Sequence, residues 1–283
     1  MNGNFIKASE KYCTLQNYVA APLLRKSFTI SSSVISARIA VCGLGFYILT
    51  VNGKDVTKGH IAPYVSNPDD CCYYDEYDVT ELIVTGENVI GIILGNGFIN
   101  SIGGEVWDFD KASFRSSPKL DLHFEAITKD GTVAFCADDT FRTHPSPILM
   151  DDLRLGEIYD ARAEIEGWNI RGFDDTEWER AIVTDAPKGE ARLCEAEPIA
   201  VIREITPVSV TAQNNGYLYD FGINTAGVCR LNINAHRGQK ITMWHGEVLR
   251  DGIFSNDGIC FSTEKYPFYK EFNQTVRYIA SGE

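Results

Sequence analysis

The stretch Ser36-Ala37-Arg38-Ile39-Ala40-Val41-Cys42, continued by Phe46-Tyr47-Ile48-Leu49-Thr50-Val51 and Asn52-Gly53-Lys54-Asp55-Val56, decides the fold class. Ala37, Ile39 and Val41 fall on alternate positions, which places them on one face of a strand and would scatter them around a helix. Residues 46–51 read as a second strand. Asn52-Gly53 supplies two residues tolerant of positive φ, so it predicts a type I′ hairpin turn into 54–56.

The same pattern extends outward. Asn88-Val89-Ile90-Gly91-Ile92-Ile93-Leu94 is apolar on both faces, which predicts a strand covered on both sides near the middle of the core. Leu120, Leu122, Phe124 and Ala126 alternate with Asp121, His123 and Glu125 before Asp130-Gly131, predicting another hairpin with 133–135. The fold class is therefore all-β, with antiparallel sheets and little helix. Residues 157–179 change character: Gly167-Trp168, Phe173-Asp174-Asp175 and Trp178 stand in polar sequence, as in an ordered loop or short helical turn pinned by its indoles, not a strand. Pro187, Pro198 and Pro207 mark residues 181–207 as the passage between domains, with a boundary near Ala200 that divides the chain into 1–200 and 201–283. Beyond it, 217–221, 227–235 and 239–247 are expected to be strands, the last two joined at His236-Arg237-Gly238. There is no tandem repeat and no low-complexity segment.

A chain of 283 residues, 44% hydrophobic and 11% aromatic, can bury a substantial core. Its formal charge of -13, with no Lys/Arg cluster, repels phosphate backbones and anionic lipid heads, so nucleic acid and membrane surfaces are excluded as partners. No apolar segment follows a basic start, and no apolar run is long enough for a span, so the expected location is cytoplasmic. The eight cysteines (Cys13, Cys42, Cys71, Cys72, Cys136, Cys194, Cys229 and Cys260) contain no C-x-x-C and read as reduced thiols. His60, His123, His144, His236 and His245 show no zinc-ligand spacing, and no metal site is expected from them.

Several segments, in order, resemble the modules that precede the catalytic domain of bacterial α-L-rhamnosidases of glycoside hydrolase family 78. They are Gly43-Leu44-Gly45-Phe46-Tyr47 with Val51-Asn52-Gly53-Lys54, then Tyr77-Asp78-Val79-Thr80, Gly86-Glu87-Asn88-Val89-Ile90 and Leu94-Gly95-Asn96-Gly97-Phe98. Gly156-Glu157-Ile158-Tyr159-Asp160-Ala161-Arg162, Gly167-Trp168 and Phe173-Asp174-Asp175-Thr176-Glu177-Trp178 follow. Tyr219-Asp220-Phe221-Gly222-Ile223-Asn224-Thr225-Ala226-Gly227, His245-Gly246-Glu247-Val248-Leu249 and Asp251-Gly252 close the series, so the resemblance covers residues 22–283. It implies a jelly-roll or galactose-binding-like sandwich, then a second sandwich truncated before its last strand, and beyond both an (α/α) barrel that carries catalysis. The expected function is that of a non-catalytic N-terminal part of an α-L-rhamnosidase, inactive alone, with its own missing catalytic barrel as partner. A freestanding carbohydrate-binding module is the alternative, and a homodimer through 239–247 or the tail is a further expectation.

The family's inverting chemistry needs two carboxyl groups about 6.5–9.5 Å apart across a sugar. The resemblance places both in the barrel, and no catalytic residue is assigned here. Asp151-Asp152 and Asp174-Asp175 are adjacent, and neighbours on a strand point to opposite faces. For sugar binding, with calcium as a conceivable cofactor, the candidates are Asn96, Trp107, Asp152, Glu157 and Trp178. Relatives with a calcium-linked site carry Asp before Gly or Asn ahead of the Glu, whereas Leu155-Gly156 precedes Glu157. Trp168 and Trp178 read equally as locks for a loop, Asp160 with Arg162 as a local network, and His245 and Glu247 as residues facing the barrel. Gly43, Gly45, Gly95 and Gly97 read as backbone devices.

Overall fold

The computed structural model describes residues 4–102, 108–213, 216–256, 259, 267–269, 271–272 and 274–282. Helix among them is limited to 3-10 turns at Thr80–Leu82, Phe109–Lys111, Ala161–Ala163 and Pro267–Tyr269, none long enough to cross a membrane. The rest is strand and loop, as the period-two patterning requires.

Two sheets face each other. In the first, β14 (Ile182–Thr184), β1 (Phe5–Lys7), β8 (Lys119–Thr128), β3 (Val34–Leu44), β6 (Cys71–Asp78) and β15 (Glu190–Leu193) lie in that order, and β9 (Gly131–Cys136) also pairs with β8. In the second, the order is β13 (Glu179–Arg180), β10 (Arg142–Pro145), β2 (Pro22–Ile30), β7 (Gly86–Leu94), β4 (Tyr47–Val51) and β5 (Lys54–Asp55). Ile39, Val41, Leu122 and Phe124 of the first sheet share one buried cluster with Leu24, Leu49, Ile90 and Ile92 of the second. Burial of each such side chain stabilises by about 1.5–3 kcal/mol, so this interface is the main source of stability. Inside it, the Tyr47 hydroxyl donates to Asp75 Oδ2 at 2.6 Å and lies 2.8 Å from the Tyr77 hydroxyl. Burial pushes the Tyr47 phenol far above its ordinary range.

Local chemistry explains the turns. Asn52 and Gly53 take φ of 51° and 83°, and the Asn52 amide also donates to Asn88 Oδ1 at 2.9 Å, tying the turn to β7. The β8–β9 turn has its tip at Lys129-Asp130, one position before the expected Asp130-Gly131, because Gly131 already pairs with Thr128. Strand β7 is central in its sheet, and its outer side is covered by the loop over 164–178: Trp168 and Asn169 rest against Gly91. Arg25 holds that loop. It is buried (1% exposed), donates through Nε to the Trp168 carbonyl at 2.8 Å, and pairs with Asp175.

Residues on either side of position 200 share a third sheet, ordered β11 (Ile148–Asp152), β12 (Gly156–Asp160), β21 (Thr275–Ile279) and β18 (Lys240–Trp244). Residues 157–160 are thus a strand, against the expectation of a loop or turn from 157 onward, because β11 and β21 supply edges on both sides of it. Strands β12 and β21 run parallel, from Gly156 opposite Thr275 to Asp160 opposite Ile279, and β15 is parallel to β6, so the sheets are not purely antiparallel. Met150, Leu155, Ile158, Tyr269 and Phe272 form a second core beneath this sheet, and the Tyr269 hydroxyl donates to the Thr14 carbonyl at 2.6 Å. Gly156 makes the junction possible. With φ of 121°, it brings its backbone so close to Thr275 that a Cβ would lie 2.0 Å from the Thr275 carbonyl oxygen.

Two isolated hairpins complete the description, β16 (Ser209–Gln213) with β17 (Gly216–Asp220) and β19 (Val248–Arg250) with β20 (Ile253–Ser255). The strand expected over 227–235 is absent: those residues pair with no neighbour, and Val228, Leu231 and Ile233 face solvent. An alternating sequence becomes a strand only where another edge supplies its hydrogen bonds. None of the described residues from 201 to 256 is buried.

Candidate functional site

Three of the five candidate residues meet where the end of β7 passes the β11–β12 hairpin. Asn96 is buried and clamps the Asp151 carboxylate, its backbone N–H reaching Oδ2 at 2.7 Å and its amide reaching Oδ1 at 2.8 Å. Asn100 donates in turn to Asn96 Oδ1 and accepts from the Cys13 N–H at 2.8 Å. On the opposite face of β11, Asp152 Oδ2 accepts from Ser101 Oγ at 2.8 Å and from the Ile102 N–H at 3.2 Å. Its Oδ1 accepts from the backbone N–H groups of Arg154 at 2.9 Å and Leu155 at 3.2 Å, closing the turn into β12. Glu157 stands directly across the ladder from Asp151.

The electrostatics follow from this crowding of acids. Burial pushes the Asp151 carboxyl up to about 7, Glu157 and Asp152 add to the rise, and the Asn96 donors oppose it. Burial also raises Glu157 above the usual carboxylate range. Asp151 as a residue is half-buried, and its carboxylate oxygens meet the Asn96 donors. The cluster fastens the loop over 96–102 to the β11–β12 hairpin.

The donor set does not suit calcium. A calcium ion needs six to eight oxygen lone pairs converging on one point. Here the oxygens of Asp151 and Asp152 already face N–H and O–H groups, whose hydrogens point where the cation would sit. Among the described residues, no group of three or more His, Cys, Asp or Glu is arranged to hold a metal ion.

Trp178 lies apart from these acids. It is 7% exposed, its ring is 5.0 Å from His144, 5.6 Å from Phe173 and 6.4 Å from Trp168, and its carbonyl accepts from Arg142 at 3.2 Å. Such packing locks the loop onto the second sheet. Trp107 lies outside the described residues. Asp160 and Arg162 form the expected local pair, with Nε on Oδ1 at 2.8 Å and a second nitrogen on Oδ2 at 2.7 Å. Within Asp174-Asp175, Asp174 caps the Thr176 N–H at 3.0 Å while Asp175 pairs with Arg25. The sequence signalled neither Asp151 as the centre of the cluster nor the parts played by Asn100 and Ser101. The one available cue was the spacing of two buried amides, Asn96 and Asn100, after an apolar strand.

In class, this is an all-β sandwich protein in which the carboxylates of Asp151 and Asp152 fasten loops. Comparison with known proteins makes the assignment specific: the chain belongs to the α-L-rhamnosidase N-terminal domain family, which matches residues 32–203. Residues 210–283 match the bacterial α-L-rhamnosidase concanavalin-like domain. An α-L-rhamnosidase from Formosa agariphila is 34% identical over 239 residues, covering 81% of this chain and 25% of the relative. The structure of α-L-rhamnosidase from Dictyoglumus thermophilum is 29% identical with a TM-score of 0.80, covering 99% of this chain and 31% of that one. That of native α-L-rhamnosidase from Aspergillus terreus is 26% identical with a TM-score of 0.83, covering 100% of this chain and 32% of that one. The chain thus spans about a quarter of the length of the curated relative.

Proposed function

We propose that this chain serves an α-L-rhamnosidase as its non-catalytic N-terminal part, and that residues 199–256 pack against the portion of such an enzyme that carries catalysis. The observation that carries this reading is the exposed apolar surface of that region. Ile202 is 92% exposed, Val228 79% and Tyr217 70%, with Val208, Val210, Trp244 and Leu249 also facing solvent. Exposed apolar side chains, where they gather into a patch, mark interaction sites in folded proteins. The match of 210–283 to a domain of bacterial α-L-rhamnosidases, in a chain a quarter as long as its relative, supports the remainder of such an enzyme as the occupant.

The acids support the non-catalytic half of the reading. A glycosidase pair must face a cavity able to admit a sugar and a water. A cleft of about 380 Å³ is lined by residues of β3, β6, β8 and β9, and none of Asp151, Asp152 and Glu157 borders it. Two acids border it, Glu76 and Glu125, and Glu125 is tied to Arg38 at 3.0 Å.

A chimera tests the support role. The matched quarter of the Formosa agariphila relative is replaced by this chain, beside a version with that quarter deleted. The reading expects a soluble chimera that hydrolyses an aryl α-L-rhamnoside and a deletion that is insoluble or inactive. A deletion as active and stable as the intact relative overturns it.

A further inference from the structure

The outer face of the first sheet carries a row of groups that neither the core nor the Asp151 cluster uses. On β8 the inward side chains are Leu122 and Phe124, so Asp121, His123 and Glu125 point outward. His123 stands directly opposite Cys136 in the β8–β9 ladder. The imidazole lies between two partners: Nε2 is 3.3 Å from Asp121 Oδ1, and Nδ1 is 3.8 Å from Cys136 Sγ. The Asp121 side chain is 0% exposed and that of His123 is 23% exposed. Above His123 and Cys136 opens the cleft of about 380 Å³, whose other polar borders are Arg38, Tyr74, Glu76 and Glu125.

A carboxylate beneath one ring nitrogen and a thiol beside the other give the imidazole a fixed orientation. With Asp121 ionised, its charge 3.3 Å from Nε2 favours the ring proton on that nitrogen, which leaves the Nδ1 lone pair facing the thiol. This is the nucleophile, base and orienting-group order that activates a side chain for attack, and the cleft gives it access. Four of the other described thiols lack that arrangement. Cys42 and Cys72 are sealed in the cluster with Phe5, Leu44 and Ile99, and Cys13 is buried, its thiol pushed up to about 11 by that burial. Cys229 is exposed and belongs to no such row.

We propose that Cys136 is a modification site, a reactive thiol that undergoes thiol–disulfide exchange with small disulfides entering this cleft, with His123 as its base and Asp121 as the group that positions His123. The thiol proton passes to Nδ1, and the Cys136 sulfur attacks one sulfur of the disulfide. A new S–S bond forms as the old one breaks, and the departing thiolate takes the proton back from Nδ1. One disulfide is consumed, and one mixed disulfide on Cys136 and one free thiol are produced. The groups facing the thiol set its preference. At its border the two acids Glu76 and Glu125, from β6 and β8, outnumber Arg38, so the cleft favours neutral or cationic disulfides over anionic ones.

The test labels the purified chain with the neutral reagent 2,2′-dithiodipyridine at about pH 8 and about pH 6, maps the labelled cysteines by peptide mass spectrometry, and repeats the series with His123→Gln. The proposal expects Cys136 to react about tenfold or more faster than Cys229 at about pH 6, with a smaller ratio at about pH 8, where solvent hydroxide activates any exposed thiol. His123→Gln should bring Cys136 down to the rate of Cys229 while circular dichroism stays unchanged, and cystamine should outpace dithiodipropionate in the unaltered chain. Equal rates for Cys136 and Cys229 at about pH 6 overturn the proposal, as does a Cys136 rate unmoved by His123→Gln. If that variant unfolds, the pH dependence of the ratio in the unaltered chain decides alone.

Discussion

Replacing Asp151 by Asn tests the electrostatic reading of the site, because it removes the one carboxyl whose protonation the fold most strongly favours. In the folded chain Asp151 is raised from its ordinary 3.8 to about 7, chiefly by burial. Between those two values the folded state holds a proton that the unfolded chain has released, so stability must fall as pH rises through the window. At about 1.4 kcal/mol per pH unit, the loss between about pH 5 and pH 8 is bounded near 3 kcal/mol, and the partial exposure of Asp151 lowers the expectation to about 1–3 kcal/mol. An Asn at this position does not titrate, though its amide puts a donor opposite one Asn96 donor and costs about 1–3 kcal/mol at every pH. Urea unfolding of both proteins at several pH values gives the answer. The stability advantage of the unaltered chain over Asp151→Asn should shrink by about 1–3 kcal/mol from pH 5 to pH 8, with a residual slope from Glu157 left in both. Parallel curves would refute the claim that Asp151 folds in its protonated form near neutral pH.

Other perturbations give separate readings of the same structure. Gly156→Ala drives a Cβ into the Thr275 carbonyl and should cost about 3–5 kcal/mol, seen as faster proteolysis within 240–282 while 30–135 stays resistant. Tyr47→Phe withdraws the hydroxyl between Asp75 and Tyr77, and a urea midpoint should report a loss of about 1–3 kcal/mol. Trp178→Ala opens a cavity among Trp168, Phe173 and His144 and should cost about 3–5 kcal/mol, whereas titration with rhamnose, followed by tryptophan fluorescence with and without calcium, should show no saturable response in the unaltered chain.

What the sequence made legible was local. Asn52-Gly53 announced its turn because two positive φ values in succession admit few residue types, and the apolar run at 88–94 announced a central strand because no exposed strand tolerates it. Two structural facts depended on partners far along the chain. The β12–β21 pairing joins Gly156 to Thr275, and nothing in either strand encodes the other. Residues 227–235 have the right alternation but no edge to pair with. Arg25 shows the limit of patterning at a single position: an arginine in a strand reads as solvent-facing, yet it is buried because Asp175 and two loop carbonyls meet its charge and hydrogens. The site was half visible. Asn96 and Glu157 do converge, but on Asp151, which as one of two adjacent acids carried no signal of its own, while Asp152 turns to the opposite face of β11 and Ser101. Trp178 belongs with the aromatic lock on the second sheet.

In the proposed role the chain contributes structure to a rhamnosidase and performs none of its chemistry. Prolonged incubation of the repurified chain with an aryl α-L-rhamnoside, at a sensitivity that detects one slow turnover per molecule, is the decisive measurement. Release of the aryl group should be no faster than in buffer. Turnover that survives repurification and is abolished by one Asp or Glu substitution, with the fold intact, would contradict it.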